Sequence, residues 1–221
     1  MPSRPRQLAL ALDHAESYAR EDFLSGPCNE AALALIECWP DWPANAVALV
    51  GPEGSGKTHL AMIWAAAAGA RVVAARALGE AELPAALATG ALVVEDAATA
   101  VDDRALFHLI NLAREEKASL LFTARTPPVT WPAAIPDLVS RLRALPIAAL
   151  QPPDDAMLRA VIVKLAADRQ LALDESVVGY LSTRIERSFA AAYAAVVALD
   201  NEALRQRRPV TRALAAELFR E

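Results

Sequence analysis

The sequence has no long apolar run, because charged residues or prolines interrupt every candidate before the ~20 residues needed to cross a bilayer. Its start, Met1-Pro2-Ser3-Arg4-Pro5-Arg6, lacks the apolar segment of a secretory signal. Cysteine is scarce as well, and the two cysteines, Cys28 and Cys38, are too few and too badly placed for a disulfide framework or a zinc site. We therefore expect a soluble, cytoplasmic protein with free thiols and no membrane contact.

An excess of basic charge is also missing. The formal net charge of the 221 residues is −5, so bulk electrostatics does not favour binding to a polyanion. Any contact with DNA must therefore be local or indirect. Alanine, by contrast, is abundant, and because it suits either face of a helix it blurs the apolar periodicity.

Glycine is infrequent, with eight in the chain, yet three of them fall in the stretch Gly51-Pro52-Glu53-Gly54-Ser55-Gly56-Lys57-Thr58. This is the pattern G-x-x-x-x-G-K-T of a phosphate-binding loop. The glycines let successive N–H groups point at phosphate oxygens, while Lys57 adds a cation and Thr58 a hydroxyl for Mg²⁺. An apolar run ends at Val50 and a helical sequence starts at His59, so the context predicts a nucleoside di- or triphosphate site, with His59 at its margin.

Short apolar segments alternate with helical segments around this loop. Continuous apolar strands separated by helices indicate a parallel sheet covered on both faces. The predicted strands are residues 46–50, 72–74, 91–94, 119–123 and 147–150, and the predicted helices between them are residues 80–88, 103–116 and 137–142. Asn29 is predicted to cap a further helix before the first strand.

A break in composition at Gln151-Pro152-Pro153 predicts a domain junction, and everything after it has the pattern of helices. Four helices are predicted there, opened by Asp154, Asp174, Ser188 and Pro209. We predict three parts in all: a flexible tail at 1–20, an α/β nucleotide-binding domain at 21–150 and a small all-helical lid domain at 151–221.

Two acids, Glu95 and Asp96, follow the third strand at the sheet edge where ligands of parallel sheets bind. In the usual arrangement the first acid orients Mg²⁺ and the second polarises the attacking water, which gives Glu95 a metal role and Asp96 a catalytic one. A glutamate in the first place departs from that arrangement and puts hydrolysis in doubt; solvated loop acids are the alternative. Thr123, at the end of the fourth strand, is either a γ-phosphate sensor or a packing residue.

Two further features suggest a partner protein. Arg141, on the short helix before the last strand, is placed to reach the nucleotide of a neighbouring molecule and supply transition-state charge; from the residues alone a surface salt bridge is the alternative.

Near the N-terminus, the leucines of Gln7-Leu8-Ala9-Leu10-Ala11-Leu12 occupy alternate positions. This alternation is typical of an extended peptide that fills a partner's pockets, and equally of an edge strand of its own domain.

Taken together, these residues resemble the AAA+ ATPases and, within them, the DnaA/Hda family of bacterial replication proteins. The resemblance covers nearly the whole chain. It implies a P-loop AAA+ α/β domain with a five-stranded parallel sheet, followed by an all-helical lid. Its most specific parts are the loop Gly51 to Thr58, the stretch Leu121 to Pro128, the segment Pro136 to Leu142 that is similar to the arginine-finger box, and the lid pattern Tyr180 to Ile185.

Within that family the chain is more similar to the regulatory Hda branch. Residues Gln7, Leu8, Leu10 and Leu12 resemble the peptide with which Hda docks on the DNA polymerase III sliding clamp. The chain stops at Glu221, which we expect leaves no room for the helix-turn-helix domain of DnaA. The short segment between the second and third strands also has no room for the insertion by which initiators grip single-stranded DNA.

The resemblance implies ADP or ATP with Mg²⁺ as ligands, DnaA and the clamp as partners, and DNA contact only through the clamp. Arg141 would then act in trans on ATP held by DnaA, so that the initiator's ATP is hydrolysed and re-initiation is prevented. The lid arginine of initiators aligns with Ala190, so nucleotide sensing from the lid is lost or passed to Arg187, and weak own hydrolysis is expected. The sequence leaves open whether the chain forms a homodimer.

An autonomous AAA+ ATPase, acting as a DnaA-like or helicase-loader-like replication factor, is the alternative function. A small-molecule P-loop kinase fits less well, because kinases commonly insert their lids within the core.

Overall fold

The computed structural model describes residues 18–99 and 102–219. The chain divides into two compact units, one formed by Tyr18–Pro153 and the other containing the residues from Asp154 onward. The predicted clamp-binding residues Gln7, Leu8, Leu10 and Leu12 lie outside the described part of the chain. No helix within that part is both long enough and apolar enough to cross a bilayer.

The first unit is built on a five-stranded parallel sheet, as predicted. Its strands are adjacent in the order β2-β3-β4-β1-β5. Every residue of β1 is buried, which explains why the strand is a continuous apolar run rather than an alternating one. The strands are β1 (Ala46–Val50), β2 (Arg71–Ala74), β3 (Ala91–Glu95), β4 (Ser119–Ala124) and β5 (Ile147–Ala149).

Helices cover both faces of this sheet, with one apolar cluster on each side. Val47 and Leu49 of β1 belong to one cluster, while Ala48 and Val50 belong to the other, as the period of two in a strand requires. The helices of the first unit are α1 (Glu30–Glu37), α2 (Lys57–Ala68), α3 (Leu83–Ala86), α4 (Asp103–Glu115) and α5 (Pro136–Ala144).

Two local predictions in this unit need correction. The helix expected at 80–88 is a 3₁₀ turn at Glu80–Glu82 followed by the short α3, because Pro84 lacks an N–H and is tolerated only at the start of a helix. Asn29 stands at the N-cap of α1 without capping it. Its side chain accepts a hydrogen bond from Gly26 N (2.9 Å) and donates one to Leu24 O (3.0 Å), so it stabilises the preceding loop instead.

The second unit is helical in its described part. It contains α6 (Asp155–Asp168), α7 (Glu175–Arg184), α8 (Phe189–Gln206) and α9 (Arg212–Leu218). The predicted caps Asp154, Asp174 and Ser188 are confirmed, but the fourth helix begins at Arg212 rather than at Pro209, because Thr211 supplies its cap. The apolar faces of the helices meet in one core, with Leu158, Ile162, Val177, Leu181, Val196, Leu199 and Leu214 among its members.

Candidate functional site

The loop from Gly51 to Gly56 connects β1 to α2 at the carboxyl edge of the sheet. Gly54 and Gly56 have φ angles of 68° and 93°, in the left-handed region where glycine is favoured. Gly51 is needed for a different reason, since a Cβ there would lie 2.7 Å from the carbonyl oxygen of Leu150. Gly56 stands at the N-cap of α2, so no side chain caps this helix. An uncapped helix start beside a tight loop is a favourable place for an anion.

Lys57 is more enclosed than a flexible surface cation would be. Only 8% of the residue is exposed, and its Nζ donates hydrogen bonds to the carbonyl oxygens of Gly51 (2.8 Å) and Pro52 (2.7 Å). Burial lowers the pKa of Lys57, and the charge of Arg125 lowers it further, while Asp96 and Glu53 act in the opposite direction.

Ser55 provides a test of whether the loop fits a phosphate group. The residue is 1% exposed, and its Oγ has no hydrogen-bond partner in the described structure. A buried hydroxyl without a partner is costly unless a ligand or water completes it. Together with the Lys57 cation, this hydroxyl fits a phosphate oxygen. Thr58, the next residue along α2, is exposed, and its hydroxyl is of the oxygen type that Mg²⁺ accepts.

The acidic pair lies at the same edge of the sheet. Glu95 is the last residue of β3, and Asp96 follows in a left-handed conformation with φ 55°. The backbone N–H of Asp96 donates to Thr123 Oγ1 (3.2 Å), and that of Ala97 donates to the Thr123 carbonyl (2.8 Å). Thr123 is 2% exposed, so it holds the turn that carries Asp96. This contact gives Thr123 a packing role, and a sensor role stays a prediction.

The described residues contain no cluster of three or more histidines, cysteines or acids that could hold a metal ion alone. A magnesium site at Thr58 and Glu95 would therefore take its remaining ligands from phosphate oxygens and water, as Mg²⁺ commonly does. Both residues stay predicted ligands.

Arg125 is a site residue that the sequence analysis did not identify. It directly follows β4, and its Nη2 lies 2.8 Å from Oε2 of Glu53 in the phosphate loop. The position of Arg125 directly after a predicted strand could have indicated that it lies at the carboxyl edge of the sheet. Only the pairing of β1 with β4 places it beside the phosphate loop.

His59, in the first turn of α2, contacts the start of the described chain. Its Nε2 is 3.2 Å from the carbonyl oxygen of Ala19, and its ring makes edge-on contacts with Tyr18 (5.5 Å) and Phe23 (5.2 Å). The predicted role of His59 in nucleotide binding is thus accompanied by a contact that fixes residues 18–23 against the helix that follows the loop.

Arg141 lies on α5 and is half-buried. Its guanidinium carbon is 5.4 Å from the ring centroid of Phe107 on α4, which is a cation–π distance. Phe107 itself packs against the apolar cluster of that face of the sheet. The salt bridge considered as an alternative for Arg141 does not occur among the described residues; the guanidinium is positioned by an aromatic ring, a contact that sequence reasoning missed.

Arg187 and Ala190 belong to the second unit. Arg187 forms an ion pair with Asp155 at 2.8 Å and is exposed, as is Ala190 near the start of α8. A polar pocket of about 280 Å³ is lined by Asp155, Arg159, Ser182, Thr183, Ile185 and Arg187. The predicted nucleotide role of Arg187 stays a prediction.

Residues 154–217, in the second unit, match the family model of the Hda lid domain. No curated protein sequence matches the chain. Among solved structures, domain III of the Thermotoga maritima replication initiation protein DnaA is 20% identical, with a TM-score of 0.75 and coverage of 91% of this chain and 95% of that one.

Two other structures share the fold over part of their length. DnaA of Aquifex aeolicus bound to AMPPCP is 19% identical, with a TM-score of 0.67 and coverage of 86% of this chain and 68% of that one. The Thermotoga maritima RuvB Holliday junction branch migration motor is 16% identical, with a TM-score of 0.71 and coverage of 91% and 70%. At these identities the likeness concerns the fold, which confirms the predicted α/β domain with a five-stranded parallel sheet, followed by a helical lid.

Two findings agree with the predicted family resemblance, the match of residues 154–217 to the Hda lid domain and the fold shared with domain III of DnaA. In sequence, the lid follows a five-stranded parallel sheet with an intact phosphate loop. The second unit of the chain thus matches the Hda lid, and the fold of the chain is that of DnaA domain III and of RuvB.

Proposed function

We propose that this chain is an Hda-like regulator that inactivates the initiator DnaA. In this proposal it binds ADP or ATP with Mg²⁺ at the phosphate loop, docks on the sliding clamp through residues 7–12, and presents Arg141 to ATP held by DnaA. The cytoplasm is the expected location of such a factor. The observation that carries the proposal is the Hda lid match at residues 154–217, on a chain that retains the complete loop.

The nucleotide would act mainly as a structural ligand in this function. Lys57, the Ser55 hydroxyl and the uncapped start of α2 would hold its phosphates, and Thr58 with Glu95 would hold Mg²⁺, which supplies positive charge at the phosphate oxygens. A ligand that binds only the folded protein stabilises it by mass action.

Arg141 is the residue proposed to act on the partner's ATP. A guanidinium supplied in trans to a γ-phosphate accelerates hydrolysis by ~10³ to 10⁵ in other NTPases, so one side chain is sufficient for a switch. Phe107 restricts the position of this guanidinium without neutralising it, because a ring face attracts a cation but carries no net charge. The charge of Arg141 is therefore not cancelled by a carboxylate in the described structure.

The decisive experiment measures hydrolysis of ATP bound to purified DnaA, in the presence of clamp loaded on DNA. Arg141→Ala should abolish the stimulation while clamp binding is retained. Arg143→Ala is the matched control, since Arg143 is an exposed arginine on the same helix and its loss should leave stimulation unchanged. Full stimulation by Arg141→Ala would remove the arginine-finger assignment.

The tail is tested separately. Replacing Gln7 and Leu8 with alanine should abolish retention on the clamp in gel filtration, and unchanged co-elution with the clamp would reject residues 7–12 as the docking element.

An autonomous ATPase, DnaA-like or helicase-loader-like, is the second candidate. It is favoured by the acidic pair Glu95 and Asp96 at the carboxyl end of β3, where a metal ligand and a catalytic acid would be needed. Robust turnover by the chain alone, lost in Asp96→Asn, would support this candidate; weak turnover without DnaA would support the regulator.

A further inference from the structure

The inference concerns Arg125 and Glu53, which form an ion pair at the mouth of the phosphate loop. Ala124, the last residue of β4, is in register with Val50, and its carbonyl accepts a hydrogen bond from Gly51 N at 3.1 Å. The backbone of Arg125 therefore starts directly beside the first residue of the loop. From there its guanidinium reaches Glu53, with Nη2 and Oε2 2.8 Å apart.

The charges around this pair are unevenly arranged. Arg125 is near enough to Lys57 to disfavour its protonated form, although Lys57 is already desolvated. Two cations thus share one end of the loop, and Glu53 is the carboxylate in direct contact with Arg125. An anion placed between Lys57 and Arg125 would relieve their mutual repulsion.

The pair is also easy to open. The side chains of Arg125 and Glu53 are 61% and 75% exposed, and ion pairs at such exposure contribute little net stability. Phosphate and carboxylate both accept the two parallel N–H bonds of a guanidinium, and a phosphate group carries more negative charge. A phosphate beside Arg125 would therefore compete with Glu53 for it.

We propose that Arg125 is a second cationic ligand of the nucleotide phosphates, acting within its own chain, and that Glu53 competes with those phosphates for it. The inference rests on nucleotide binding at the loop, which is one part of the proposed function, and it is independent of Arg141 and of the clamp. It predicts that the affinity for nucleotide is set by the balance between one arginine and one glutamate.

The test is calorimetric titration of the full chain with Mg-ADP and Mg-ATP. Arg125→Gln should weaken binding about tenfold, the effect of losing one charge-assisted contact. Arg125→Lys should lie between this variant and the original chain, because it keeps the charge but loses the bidentate geometry. The matched control is Arg114→Gln, which makes the same change of charge at an exposed position on α4 and should bind as the original chain does.

Glu53 is tested in the same assay. Glu53→Gln should tighten binding several-fold, since the competitor is removed. In the Arg125→Gln background the same substitution should gain much less, and this non-additivity distinguishes competition for Arg125 from simple repulsion between Glu53 and phosphate. Equal gains in the two backgrounds would contradict the competition.

A wrong role for Arg125 and a wrong loop assignment give different results. If Lys57→Met weakens binding about tenfold or more and Arg125→Gln binds as the original chain does, the role of Arg125 is wrong and the loop assignment stands. If the original chain binds neither nucleotide, nucleotide binding itself is rejected. Far-UV circular dichroism of Arg125→Gln should match that of the original chain, since the side chain is mostly exposed.

Discussion

The four described helices of the lid each begin at an Asp, Ser or Thr whose side chain accepts a hydrogen bond from a backbone N–H three residues later. Among the described helices of the first unit only α4, capped by Asp102, has such a side-chain bond. The contrast is sharpest at α2, where Gly56 provides no side chain at all. Capped ends stabilise a helix internally, whereas an uncapped N-terminus retains donors and positive potential for an anion.

Buried polar residues follow the same division. Ser55, Lys57 and Thr123 are buried around the phosphate loop, and in the lid Ser182 and Ser188 are the buried polar residues among those described. The Ser188 hydroxyl accepts a hydrogen bond as the cap of α8, whereas the Ser55 hydroxyl has no partner in the described structure. Two other buried donors without a partner among the described residues, Trp64 Nε1 in the first unit and Arg208 Nε in the lid, lie outside the phosphate loop. Burial of an unpaired polar group costs stability. The Ser55 hydroxyl thus carries this cost beside the loop, where a phosphate would pair it, whereas Ser188 stabilises its own helix.

The largest effect should come from Lys57→Met. Removal of the cation should weaken nucleotide binding by about tenfold to a hundredfold, from the ~1.5–3 kcal/mol of a hydrogen bond to a charged group. The unfolding temperature without nucleotide should stay the same or rise, because burial already disfavours the charged form of Lys57. Titration calorimetry and thermal denaturation measure the two quantities. Lys117→Met, the same change at an exposed lysine, should alter neither. Unchanged affinity in Lys57→Met would contradict the view that buried polar groups of the first unit serve ligand binding.

The lowered pKa of Lys57 gives the second prediction, which concerns nucleotide affinity at alkaline pH. Phosphate binding favours the protonated amine, so the pKa of Lys57 must rise on binding. Affinity should be constant below the lowered pKa and decrease as the pH rises through it, at a lower pH than the ordinary lysine value of 10.5 would give. Fluorescence titration with a labelled ADP across the alkaline range measures this. Lys57→Arg should remove the decrease over that range, and an identical pH profile in this variant would show that another group titrates.

The loop was predictable because its chemistry is local. Glycines at fixed spacing, the following lysine and the apolar run that forms β1 all lie within a few residues of each other, and the caps Asp154, Asp174 and Ser188 are equally local signals. Patterns of this kind predict which residues meet when they are close in sequence.

The other site features could not be predicted, because they depend on contacts between residues that are distant in sequence. The pair of Arg125 with Glu53 requires β4 to lie beside β1, and the stacking of Arg141 on Phe107 requires α4 to pack against α5. The motif assigns Lys57 to phosphate binding, but it does not predict that the Lys57 side chain donates hydrogen bonds to the carbonyl groups of its own loop.

Ser188→Ala tests whether the caps stabilise the helices of the lid. Ser188 Oγ accepts the N–H of Ala191 at 3.1 Å, and its loss should reduce the free energy of unfolding by about 1 kcal/mol. Urea denaturation followed by circular dichroism measures the change. Ser140 provides the control, because its hydroxyl donates to a carbonyl inside α5 and caps no helix, so Ser140→Ala should be close to neutral. A Ser188→Ala variant as stable as the original chain would show that the lid caps are not what stabilises it.

The smallest effect is expected at Asp174, whose cap is exposed. Hydrogen bonds from the Ser176 hydroxyl and the Val177 N–H lower the pKa of this carboxyl below its ordinary value of 3.8. Because the folded-state pKa is the lower one, the stabilisation is complete above the unfolded value and is lost as the pH falls through the folded one. In Asp174→Asn the amide oxygen can still accept the Val177 N–H but does not titrate in this range, so the difference in unfolding free energy between the two proteins should shrink as the solution is acidified. Urea denaturation over a series of acidic pH values measures that difference, which cancels the contribution of all other carboxyls. A difference that stays constant with pH would mean that the charge of Asp174 adds nothing to the cap, and that the helices of the lid depend only on neutral hydrogen-bond acceptors at their first residues.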